Sequence, residues 1–179
     1  MTNTARSTDD DRTLAVLKQR ARALARPLLL ADAAEGVDVV TFALGDERYG
    51  VRVSSVIETL PLEKLVRVPS LPRWWAGVVN VRGIIHPVLD VHRYLDLPRE
   101  PSDEPAMLIL VAGPASTLGL KVDRVDAIVH VPLEDLKPNP PGVTPTTPAV
   151  SVVTPQRIAV LDVAQLIDDP RLTVREESM

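Results

Sequence analysis

The chain has 179 residues, 45% of them hydrophobic and 25% charged, with a formal net charge of −4. That length suits one domain or two small units sharing a core, and the apolar share is too high for a disordered chain. With no cysteine, three histidines (His86, His92, His130) lacking metal-ligand spacing, and a negative net charge, the composition excludes disulfide frameworks, thiolate chemistry and general nucleic-acid binding.

In chain order, residues 1–12 are polar and carry no hydrophobic signal core, and no run approaches the ~18 apolar residues of a membrane span. A cytoplasmic protein without direct membrane insertion is expected. Residues 13–27 (TLAVLKQRARALARP) predict an amphipathic helix, with Leu14, Leu17, Ala21, Leu24 and Leu28 on one face. Lys18, Arg20, Arg22 and Arg26 make it basic, and Pro27 ends it. Two readings stay open: a helix docked on the body with a solvated face, or one that binds a partner or a membrane surface. A linker follows at 31–37.

Short strands take over from Val37. VVTFALG (39–45) and VRVSSVIE (51–58) flank a turn at GDERYG (45–50); IIHPVLDV (84–91), MLILVAG (107–113), LGLKVDRV (118–125) and IAVLDV (158–163) read as further strands. VAQLIDD (163–169) predicts a short helix closed by Pro170, and 138–148, with five prolines, an extended surface loop. The aromatics are only Phe42, Tyr49, Trp74, Trp75 and Tyr94, so the core is expected to be built from Val, Leu, Ile and Ala.

Four segments recur in order: 39–45 at 107–113, 49–56 at 118–125, 61–65 at 132–136, and 88–95 at 160–167, with offsets of 68, 69, 71 and 72. The repeat predicts two β units of about 70 residues with roughly five strands each, packed face to face over a shared aliphatic core because either alone is marginal.

No catalytic constellation is present: there is no GxSxG, no GxxxxGK[ST] and no dinucleotide fingerprint. Glu58, Asp90, Asp123 and Asp162 read as caps and turn ligands at strand ends. Neighbouring Trp74 and Trp75 would face opposite ways in a strand, which would place one at an interface. In an extended segment Asn80 and Arg82 share a face, with Gly77 and Gly83 allowing close backbone approach.

These residues resemble the CheW-like chemotaxis coupling proteins. GVVNVRGIIHPVLDVHRYL (77–95) is similar to that family's G-x-x-N-x-R-G-x-x-x-P-x-x-D-L-R signature; FALGDERYGVRVSSVIE (42–58) resembles its opening hairpin and GLKVDRVDAIVHVPLEDLKP (119–138) its second-half segment. The resemblance implies a mainly β fold of two SH3-like five-stranded barrel subdomains with an N-terminal and a short C-terminal helix. It divides the chain into an extension (1–36), a CheW-like domain (37–168) and a tail (169–179). It implies a non-enzymatic adaptor without cofactor or metal, whose partners are chemoreceptor cytoplasmic tips and the regulatory domain of a CheA-type histidine kinase, or the equivalents in a pilus-motility or other chemosensory-like array. Carried over by position, Arg82, Gly77, Asn80 and Ile128 are expected at the receptor contact, and Val56 and Glu58 on the kinase side. Three positions depart from the pattern: His92 replaces an arginine, Thr59 an aliphatic residue and Ser151 a glycine.

Overall fold

The computed structural model describes residues 35–98, 105–114, 116–138 and 149–172. The helix expected at 13–27 and most of the proline-rich loop lie outside them.

The first half of the described chain runs β1 (Gly36–Leu44), β2 (Glu47–Arg52), β3 (Val56–Pro61), β4 (Leu65–Val66), β5 (Trp75–Val81), β6 (Ile84–Asp90) and helix α1 (Val91–Tyr94). The second half repeats that order: β7 (Met107–Ala112), β8 (Thr117–Val122), β9 (Arg124–Pro132), β10 (Lys137–Pro138), β11 (Val150–Val153), β12 (Ile158–Leu161) and helix α2 (Val163–Ile167). The repeated VLDV segments end in the same device. Asp90 accepts the Arg93 N–H at the start of α1, and Asp162 accepts those of Ala164 and Gln165 at the start of α2.

Two six-stranded sheets result, ordered β10-β11-β12-β2-β1-β9 and β4-β5-β6-β8-β7-β3. Adding six to each strand number of the second sheet, and counting on past twelve, gives the first, so the sheets are related by the repeat. Neither sheet is built from one repeat, however. Each takes a hairpin from one half and four strands from the other, joined by parallel pairs, β12 to β2 and β6 to β8. The expected pair of separate five-stranded units is therefore corrected to two interwoven six-stranded sheets. The ladder also adjusts the alignment. Gly50 faces Thr41 while Gly119 faces Leu110, so β1 and β7 correspond at an offset of 69. Both glycines leave room for one equivalent side chain: a Cβ would stand 2.4 Å from a Val39 methyl at Gly50 and 2.7 Å from a Leu108 methyl at Gly119.

The core has three parts. Val39, Val131, Ile158 and Val160 fill one sheet's inner curve, and Val79, Val81, Val88, Leu108 and Leu110 the other's. The largest cluster includes Phe42, Tyr49 and Tyr94, with Trp74 and Trp75 packed against it. It draws residues from both sheets. The common core is mostly Val, Leu, Ile and Ala, as expected, and all five aromatics join it, while the small cores are purely aliphatic. Trp74 precedes β5 in a turn, so strand alternation does not separate the tryptophans, and both are half-buried.

Candidate functional site

The β5–β6 hairpin carries the residues singled out from the sequence. Val81 pairs with Ile84, leaving Arg82 and Gly83 as a two-residue turn. Their φ values are 53° and 89°, the positive pair that a type I′ turn requires. Asn80 Oδ1 accepts the Gly83 N–H at 2.8 Å, so Asn80 holds the turn. Asn80 and Arg82 do not share a strand face, because Arg82 is in the turn itself.

Arg82 is 81% exposed, yet its Nη2 reaches Glu58 Oε2 on β3 at 2.7 Å. The residues expected at two different partner surfaces thus meet at one corner. Neighbouring residues on the same strands, Ile57 on β3 and Ile84 and Ile85 on β6, are exposed. Val56 is half-buried, opposite Val111, and packs on the common core. Gly77 is buried. Its φ is 141°, and a Cβ there would lie 2.1 Å from the Val66 carbonyl oxygen. The space expected to admit a partner is filled by the chain's own β4. Ile128 lies on the other sheet, opposite Val40 on edge strand β9, and is exposed. Val40 corresponds to Ile109, whose partner is Thr59, so Ile128 occupies on β9 the place of Thr59 on β3.

His92, one of the departures, is buried, and its Nε2 lies 2.7 Å from Asp123 Oδ2. The same oxygen accepts the Gly45 N–H at 2.8 Å, joining α1, the β8–β9 corner and the β1–β2 turn. At the equivalent place in the other half stand Ala164 and Ser54. There the space is open, a pocket of about 340 Å³ lined by Arg52, Ser54, Ser55, Gly113, Asp162 and Ala164 among others.

Sequence reasoning missed a second buried cluster. Tyr94 donates to Asp169 Oδ2 at 2.5 Å, and Arg171 pairs with the same carboxylate at 2.7 Å while its guanidinium lies 4.5 Å from the Tyr94 ring centre. Burial and the bond to Asp169 push the Tyr94 hydroxyl well above the ordinary tyrosine range. Burial would raise Asp169, but its bonds from Arg171 and Tyr94 outweigh that and hold it down at about 2. The sequence signal, an Asp-Pro-Arg step, is too common to announce it. His86 and His130 make ordinary bonds to Thr117 and Asp38. Among the described residues no group of His, Asp and Glu side chains is arranged to hold a metal, and no helix is long and apolar enough to cross a membrane.

The CheW-like domain model matches residues 38–171. The chain is 26% identical over 119 residues to the chemotaxis protein CheW of Bacillus subtilis (strain 168), covering 66% of this chain and 76% of that protein. It is 30% identical over 114 residues to protein FrzA of Myxococcus xanthus, covering 64% and 71% respectively. Among solved structures it is similar to the scaffolding protein TtCheW of Thermoanaerobacter tengcongensis, with a TM-score of 0.69 at 23% identity over 76% of this chain and 96% of that one.

Proposed function

The chain belongs to the CheW-like domain family, and from that membership we propose that it couples chemoreceptor cytoplasmic tips to the regulatory domain of a CheA-type histidine kinase. The family is one of scaffolding adaptors, and the chain acts by binding, with no turnover. In this reading each sheet with its small aliphatic core is an SH3-like barrel unit, residues 37–168 form the adaptor domain, and 1–36 and 169–179 are its extension and tail. The protein works in the cytoplasm and joins the receptor array through its partners.

The observation that carries the proposal is the exposed Arg82–Glu58 pair in an apolar corner. Arg82 contacts the receptor, with its planar fork free to exchange Glu58 for a receptor carboxylate. Asn80 and Gly77 act by shaping the hairpin. Ile128 supplies an apolar contact on the other sheet, while Val56 and Glu58 bear on the kinase side from the strand that Arg82 touches. A shared ion pair makes this corner a place where engaging one partner alters the surface offered to the other.

Capture by the matching receptor tip and kinase regulatory domain tests this. Arg82→Glu sets two carboxylates together, and receptor capture should fall at least tenfold with the thermal midpoint nearly unchanged. Adding Glu58→Arg should restore the internal pair without restoring receptor capture. Failure of the wild-type chain to bind either partner overturns the adaptor reading. The similarity to protein FrzA supports a second version, the same adaptor in another chemosensory-like array such as one serving pilus motility, distinguished by which receptor and kinase pair is captured.

A further inference from the structure

At the end of the β5–β6 hairpin remote from Arg82 lies a second feature, unrelated to the family signature's exposed turn. The β4–β5 connection folds over the start of β5 and the end of β6, enclosing a cleft of about 160 Å³. Arg67, Arg73, Arg93 and Lys121 line it, and among the described lining residues Asp90 alone is a carboxylate. Val68, Leu71 and Trp75 add apolar surface to the same lining.

The charges do not cancel internally. Asp90 is buried, accepts from the Arg93 N–H and lies 2.9 Å from the Lys121 ammonium, so it serves the cleft floor. The Arg93 guanidinium is 3.9 Å from that carboxylate and also donates to the Arg73 carbonyl. Arg73 pairs with Asp96, but both side chains are largely exposed, and such pairs exchange readily with a better ligand. Arg67 is exposed and makes no ion pair among the described residues. A chain of net charge −4 thus gathers positive charge at a cleft that also presents apolar side chains, which focuses its field on acidic groups.

We propose that this cleft docks an acidic peptide segment of a partner protein, with carboxylates held by Arg67, Arg73 and Arg93 and an apolar side chain laid on Trp75, Leu71 and Val68. The size favours this occupant: pockets for whole cofactors or drug-sized ligands run to about 300–1,000 Å³, whereas this cleft admits one or two side chains. The apolar surface favours it over a bare anion, which would leave that surface wet. Guanidinium forks match carboxylates in two-point geometry. The inference takes from the adaptor reading only that the partner is a protein. The cleft is separate from the Arg82 corner by the length of a seven-residue strand, about 20 Å.

Calorimetric titration of the full chain at low salt tests it, using a capped peptide of sequence Glu-Leu-Glu-Glu-Leu-Glu, the same peptide with glutamine for glutamate, and inorganic phosphate. The acidic peptide should bind saturably, weaken as salt rises, and perturb tryptophan fluorescence. Arg67→Glu with Arg93→Gln should weaken it at least tenfold, with the thermal midpoint lowered no further than Arg93→Gln alone lowers it. Arg67→Glu alone, which touches no internal bond, should weaken it at least threefold. No saturable binding, equal binding by both variants, equal binding of the glutamine peptide, or full competition by equimolar phosphate each overturns the proposal. So does binding that appears only after residues 1–34 or 173–179 are removed, which would make the occupant the chain's own acidic segment. Because the Arg82–Glu58 corner is untouched, failure here and failure of receptor or kinase capture are read independently.

Discussion

Gly77 shows how a glycine expected to serve a partner can answer to the chain itself. From sequence it is expected to admit a partner's backbone; in the fold the chain's own β4 takes that space. Its φ of 141° is one that L side chains rarely adopt, and the atom a Cβ would meet is a backbone oxygen that cannot swing aside. Gly77→Ala should therefore cost about 2–4 kcal/mol in the isolated protein, by strain and steric conflict together. A thermal melt without any partner checks this; a wild-type midpoint combined with lost receptor capture would restore the partner-approach explanation. The exposed Arg82–Glu58 pair is the opposite case, worth at most about 1 kcal/mol to the fold. Asp169 lies between the two. Its carboxyl is held at about 2, below its ordinary 3.8, by Arg171 and Tyr94 against the effect of burial. A depressed carboxyl stabilises the fold above its unfolded pKa and loses that contribution as pH falls through the folded one. Because Arg171 is half-exposed, solvent screening leaves a gain on the order of 1 kcal/mol. The wild type should thus lose stability between about pH 4 and pH 2, with a smaller loss in Asp169→Asn, as denaturant midpoints across that range would record. Identical pH profiles would remove the cluster from the account.

At the scale of elements, local chemistry was readable where a short-range rule decides the outcome. The β1–β2 hairpin, the short helix after Asp162 and the capping roles of Asp90 and Asp162 follow from neighbours within four residues. Elements misread from sequence depend on contacts far along the chain. Alternation assigned Trp74 and Trp75 to opposite faces because it presumes both lie in the strand, but Trp74 is in the preceding turn, whose carbonyl accepts the Asp90 N–H at 2.8 Å. The His92–Asp123–Gly45 junction joins positions up to 78 residues apart, and nothing near His92 foretells it. Its absence in the other half, where Ala164 and Ser54 leave a pocket, shows that a repeated backbone need not repeat its chemistry. The candidate site is legible only as a list of residues: alternation put Asn80 and Arg82 on one face because it presumes an extended segment, and the Arg82–Glu58 contact crosses from β6's turn to β3.

For the whole molecule, the repeat was visible in sequence but the exchange between its halves was not, because matched segments say nothing of which partner each one pairs with. Of the ten strand pairings among the described residues, four join one half to the other: β1 with β9, β2 with β12, β3 with β7 and β6 with β8. Connector length accounts for this. For the first half to close on itself, β3 would have to lie beside β1 and run parallel to β2, so the chain would have to travel back the length of a six-residue strand, about 20 Å. Only Val53–Ser55 link β2 to β3, and only Asp123 links β8 to β9; three residues span about 14 Å with their flanking bonds, and one spans less. The strand is therefore passed to the other half. The aromatics then decide which half is accepted. All five lie in the first half, and three have smaller counterparts in the same common core: Phe42 against Val111, Tyr49 against Leu118, and Tyr94 against Leu166. Two first halves together would overfill that core and two second halves would leave it hollow, errors that cost about 1–3 kcal/mol or more per site. Residues 35–98 and 105–172 made as separate chains should each be poorly folded alone and should combine one to one into a folded complex in preference to either homodimer. Circular dichroism and native mass spectrometry of the separate and mixed fragments check this. A first-half fragment that folds as a stable monomer would show that the short connectors do not force the exchange, and stable homodimers of equal strength would show that the aromatic asymmetry does not direct it.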